Sequence, residues 1–124
     1  MGSLPHCRSC GRVIEPRRTT ARQSETPAYC SAACRKRRVR PVDRALEEAI
    51  VTLLEARAGG STICPSEAAR AVSADDWRPL MEPARRAARR LVAKGEAEIT
   101  QSGRVVDPST AKGPIRVRLG RSGR

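Results

Sequence analysis

Four of the five cysteines in this chain stand in two close pairs, and they are the residues best equipped for chemistry. Cys7-Arg8-Ser9-Cys10-Gly11 is a CxxC followed by glycine, a spacing that lets two thiolates reach one ion while amides of the tight turn point at the sulfurs. Tyr29-Cys30-Ser31-Ala32-Ala33-Cys34-Arg35 adds a CxxxC, with Cys34 expected in the first turn of a helix capped by Ser31. Cys7, Cys10, Cys30 and Cys34 together offer four thiolates to a closed tetrahedral site. A full protein shell leaves no position for a catalytic water, so the expected cofactor is one structural zinc. His6 is read as a solvated neighbour of Cys7, since four cysteines already complete the shell.

The zinc also answers a shortage of core. Residues 1–42 offer only Leu4, Val13, Ile14, Tyr29, Val39 and a few alanines to bury, too little for a segment this short to fold unaided. Four paired cysteines without a signal-peptide segment fit a reducing compartment, and the expected location is cytoplasmic. No apolar run is long enough for a membrane span.

Charge supplies the second set of candidates. The 124 residues carry 25 Lys+Arg against 13 Asp+Glu, a net +12 that favours a polyanionic partner. Nearly all the cations are arginine, which a genome-wide codon bias yields as readily as selection for phosphate forks, so their placement carries the argument. Arg35, Lys36, Arg37 and Arg38 open a basic run that ends at Pro41, which is expected to stop the helix. Arg85, Arg86, Arg89 and Arg90 fall on one helix face opposite an apolar stripe and are expected to point outward. Arg116 and Arg118 alternate with Ile115, Val117 and Leu119, as the outward residues of a strand would.

These candidates need elements to position them. Asp43 is expected to cap a helix with the stripe Leu46, Ala49, Ile50, Leu53 and Leu54, with Glu47, Glu48 and Glu55 mostly outside it, ending at Gly59-Gly60. Ser61–Cys64 reads as a short strand, and Pro65 opens a second helix through about Val72, with Ser66 at or near its cap. A third helix, its regular part beginning near Glu82 after a turn holding Trp77, runs to Lys94 and stops at Gly95. Strands follow at 97–101, 104–106 and 113–119, with Ser102-Gly103 as a turn. Trp77, Met81 and the fifth cysteine, Cys64, are read as packing residues.

The cysteine pattern resembles small bacterial treble-clef zinc fingers, including short zinc-finger proteins and the small zinc-binding inhibitors of DNA gyrase. The later chain resembles an uncharacterised bacterial domain family through Ile63-Cys64-Pro65-Ser66-Glu67-Ala68-Ala69-Arg70, Trp77-Arg78-x-Leu80-Met81, Ile99-Thr100-Gln101-x-Gly103 and Gly113-Pro114-Ile115-Arg116. That resemblance implies a winged-helix fold and lends no activity.

The expected fold class is mainly α with a small β wing. A treble-clef-like zinc-binding module with a basic linker at 1–42 precedes a winged helix-turn-helix domain at 43–119, and 120–124 form a disordered basic tail. The function expected is that of a zinc-containing nucleic-acid-binding protein, with duplex DNA the partner and transcriptional regulation a candidate role. An acidic protein partner for a zinc-dependent adapter is the alternative. A single histidine, no glycine-rich phosphate loop and no paired carboxylates argue against an enzyme, and no small-molecule substrate is evident.

Overall fold

Leu46, Ile50 and Leu54 recur every fourth residue and form the buried stripe of a long helix, Pro41–Ala56. Around it the computed structural model describes residues 6–14, 29–57 and 61–120. In chain order the elements are α1 (Ala32–Arg37), α2 (Pro41–Ala56), β1 (Thr62–Ile63), α3 (Pro65–Val72), a 3-10 turn (Arg78–Leu80), α4 (Met81–Ala93), β2 (Ala97–Gln101), β3 (Arg104–Val105) and β4 (Arg116–Leu119). Helices α2, α3 and α4 pack on one another, while α2 also meets β1 and β4 and α4 meets β2.

The strands make one antiparallel sheet in the order β1-β4-β2-β3. Its buried face contributes Ile63, Ile99 and Val117 to a core shared with Leu46, Ile50, Ala84, Ala88 and Leu91. Ser102 (φ 51°) and Gly103 (φ 80°) both take the left-handed conformation that a tight β2–β3 hairpin needs. No described helix is long and apolar enough to cross a membrane.

Several local details differ from expectation. Pro41 does not stop α1; it is the first residue of α2, where its missing N–H costs no hydrogen bond. The actual break is Arg38, whose φ of 57° and ψ of −163° lie in a region that essentially only glycine occupies without strain, at a cost of about 1–3 kcal/mol. Asp43 is the third residue of α2, not its cap, and its Oδ2 accepts from the Arg40 N–H at 2.7 Å. Glu67 acts the same way for α3, accepting from the Cys64 N–H at 3.0 Å, so Cys64 and not Ser66 occupies the cap position. Pro83 is tolerated in the first turn of α4, where no carbonyl awaits its N–H.

Gly59 and Gly60 and the expected tail from 121 onward lie outside the described residues. Gly120 belongs to the folded domain: it is buried and its N–H donates to the Glu96 carbonyl at 3.0 Å.

Candidate metal centre

The first cysteine pair sits on a tight hairpin. The Cys7 N–H donates to the Arg12 carbonyl at 2.8 Å, Gly11 N–H returns to the Cys7 carbonyl at 2.9 Å, and His6 pairs with Val13 as an antiparallel bridge. Gly11 adopts φ 80°, which closes the turn and leaves the Cys10 amide 3.5 Å from the Cys7 sulfur. The second pair is set by α1: Ser31 Oγ accepts from the Cys34 N–H at 3.2 Å, as its place before the helix predicts.

These two local structures bring the four Sγ atoms within 4.8 Å of one another. A tetrahedral ion with bonds of about 2.3 Å to sulfur requires neighbouring sulfurs about 3.8 Å apart. Cys10 and Cys30 are 3.7 Å apart, and Cys30 and Cys34 3.6 Å. The donor set and spacing therefore fit one four-coordinate metal held for structural purposes.

The thiols do not share their protons evenly. Burial pushes Cys30 up, and hydrogen bonds to Cys34 and Cys10 push it further, to about 12. Burial would also raise Cys34, but the Arg86 guanidinium, with Cys30 and Ser31, outweighs it and brings this thiol to about 6. Burial likewise raises Cys10, while at Cys7 backbone amides of Cys10, Cys30 and Ser9 overcome it and lower the value. A cation stationed beside Cys34 thus favours the thiolate that a metal requires.

That cation comes from α4. Arg86 Nη2 donates to the Ser9 hydroxyl and lies 3.6 Å from the Cys34 sulfur. Arg89 Nε donates to the Cys10 carbonyl at 2.7 Å, and Arg90 Nη1 to the Ser9 carbonyl at 2.7 Å. The other side of the Arg90 guanidinium meets Glu47 and the Asp43 carbonyl. Gly11 packs so closely on α4 that an added Cβ would sit 2.4 Å from the Arg89 carbonyl carbon. The cysteine knuckle is clamped onto a little over one turn of the helix by three guanidiniums.

A family of proteins of unknown function, DUF3253, matches residues 43–120. The chain belongs to the DUF3253 family. No curated protein is significantly similar to it. The DUF3253 region holds the whole clamp, Glu47, Arg86, Arg89 and Arg90, and none of the four clustered cysteines. Its contact with the knuckle is reinforced where the Val13 N–H donates to Ser109 Oγ at 2.8 Å.

This arrangement corrects the expected outward face. Arg85, Arg86, Arg89 and Arg90 do share one side of α4, but Arg89 and Arg90 are only 6% and 5% exposed. Burial and the nearby Arg12 pull Arg89 below its ordinary value, with Glu82 opposing at 3.2 Å. Arg85 and Arg86 are partly buried, Arg85 lying 3.8 Å from Glu82. The two strand arginines are also engaged. Arg116 donates to Thr62 Oγ1 and to the Thr62 carbonyl, and Arg118 donates to Glu98 across β2 at 2.8 Å. Both stand on β4, an inner strand of the DUF3253 sheet, so the hairpin tip displays Arg104 instead.

On the knuckle, Arg35, Lys36 and Arg38 are exposed as expected, whereas Arg37 turns toward the buried Asp43 carboxylate at 3.6 Å. Sequence reasoning missed Glu47, placed outside the apolar stripe yet 6% exposed. Its spacing from Ile50 and Leu54, three and seven residues on, was the available signal.

Proposed function

We propose that the protein is a zinc-containing nucleic-acid-binding protein that grips duplex phosphates through the basic surface of its cysteine knuckle. Four thiolates at tetrahedral spacing suit zinc. The order helix, strand, helix, helix, hairpin is consistent with a winged helix whose third helix, α4, has its arginine face committed to the knuckle. A helix covered in this way cannot lay the same face in a major groove. The reading therefore keeps phosphate contacts and gives up base readout and, with it, the transcriptional regulator.

One observation carries it. Arg35, Lys36, Arg38 and Arg40 are exposed on a single short stretch, and none of them meets a carboxylate within salt-bridge distance among the described residues. Asp43 and Glu47 nearby are buried: Asp43 accepts from the Arg40 backbone N–H and faces the Arg37 guanidinium, and Glu47 is held by Arg90.

The test is a salt series of zinc-loaded protein binding to mixed duplex DNA. Alanine at all four positions should flatten the plot of log affinity against log salt by about 3.6, at about 0.9 per phosphate contact. Unrelated competitor DNA should compete fully. An unchanged slope would remove the knuckle from the interface, and binding that vanishes near physiological salt would favour an acidic protein partner for the same surface.

A further inference from the structure

Beside the metal centre a groove of about 670 Å³ lies between the knuckle, the α1–α2 junction and the C-terminal end of α4. Five cations, Arg8, Arg38, Arg44, Arg90 and Lys94, line it together with one carboxylate, Glu47. Three of the five already converge on Glu47, Arg90 closest, then Lys94 at 3.1 Å and Arg44 at 3.9 Å. Arg8 and Arg38 have no carboxylate partner among the described residues. A divalent ion with four thiolates carries two net negative charges, which still leaves the lining positive. The groove presents a net positive wall.

Two further features narrow the ligand. The volume is ample for a small organic molecule and far exceeds what a bare phosphate fills, and Tyr29 gives the wall an aromatic ring. Arg38 holds a backbone conformation that glycine would adopt without strain, and it is fixed there because Ser9 Oγ, itself bonded by Arg86, donates to the Arg38 carbonyl at 3.2 Å. Strain of this kind concentrates where a side chain is needed at a ligand.

We infer that this groove binds a nucleotide, its phosphate among Arg8, Arg38 and Arg44 and its base against Tyr29. The inference rests on the nucleic-acid reading above and names the unit that its surface captures. That unit is either a free mononucleotide or the 5′-phosphorylated end of a strand.

Calorimetry on the zinc-loaded full chain, with adenosine 5′-monophosphate, adenosine and inorganic phosphate as probes, tests it. The monophosphate should bind at least tenfold more tightly than either fragment. Arg38→Gly should weaken it at least tenfold while Tm stays equal or rises, because strain is relieved as charge is lost. Arg8→Gln, at an exposed residue without an ion pair among the described residues, should weaken it as well, and Tyr29→Leu should weaken the monophosphate but not inorganic phosphate. A 5′-phosphorylated oligonucleotide that outcompetes the mononucleotide tenfold assigns the strand end; parity assigns the free nucleotide. Monophosphate binding no better than adenosine or phosphate, or unchanged in both arginine variants, overturns the inference. Intact duplex binding without monophosphate binding defeats the groove alone, whereas monophosphate binding without any duplex binding defeats the surface reading.

Discussion

Replacing Arg90 with leucine should destabilise the whole protein, because its guanidinium, on a residue only 5% exposed, joins α4 to both α2 and the knuckle. It donates to Glu47 on α2, to the Ser9 carbonyl at 2.7 Å on the knuckle and to the Asp43 carbonyl at 3.3 Å. Leucine fills part of the volume but leaves the Ser9 carbonyl without its donor and Glu47, 6% exposed, with one fewer partner. Breaking a buried pair from one side costs about 3–5 kcal/mol. Lys94 still reaches Glu47 at 3.1 Å, so the lower end applies, about 3 kcal/mol. For a chain of this size that is a drop in Tm of roughly 12 °C. Urea unfolding followed by circular dichroism gives the same quantity as a lower midpoint at an unchanged slope. Arg35→Ala, on the exposed face of α1, serves as the reference and should change stability by under about 0.5 kcal/mol. If Arg90→Leu proves as silent as Arg35→Ala, the clamp is not what joins the knuckle to the domain, and α4 regains its availability for an outside partner.

Gly11→Ala should undock the knuckle, since a Cβ 2.4 Å from Arg89 backbone and a φ of 80° cannot both be accommodated; a loss of about 3 kcal/mol and faster proteolysis before residue 41 are expected. Arg86→Gln should lower metal affinity about 10–100-fold in a chelator competition, because it removes the cation beside Cys34; an unchanged affinity would show that this guanidinium does not tune the centre. Glu67 has its carboxyl lowered from 4.5 chiefly by the Arg57 hydrogen bond, with the Cys64 amide adding to it against burial. A lowered folded value gives stability that is present above pH 4.5 and lost as pH falls through the folded value. The Tm advantage of wild type over Glu67→Gln should therefore shrink on acidification from pH 6 to pH 3, and a constant or growing gap would contradict the Arg57 pairing.

The sequence by itself determined what depends on neighbours along the chain. Two cysteine pairs with a glycine turn and a serine cap announced a four-thiolate centre, because both ligand pairs are built by local hydrogen bonds at Cys7–Arg12 and Ser31–Cys34. The apolar spacing of Leu46, Ile50 and Leu54 and the Ser102-Gly103 turn likewise gave α2 and the hairpin. Helix ends were less legible at 38–43, where Pro41 serves either as a stop or as a first residue, and only the strained Arg38 decides between them. The tertiary structure alone decided what the arginines of α4 do. Helical periodicity places Arg85, Arg86, Arg89 and Arg90 on one side but carries no information about what lies across from them. A guanidinium can be buried only where acceptors meet its donors, and here those acceptors are the Ser9 and Cys10 carbonyls and the Glu47 carboxylate, distant in sequence and brought together by the fold.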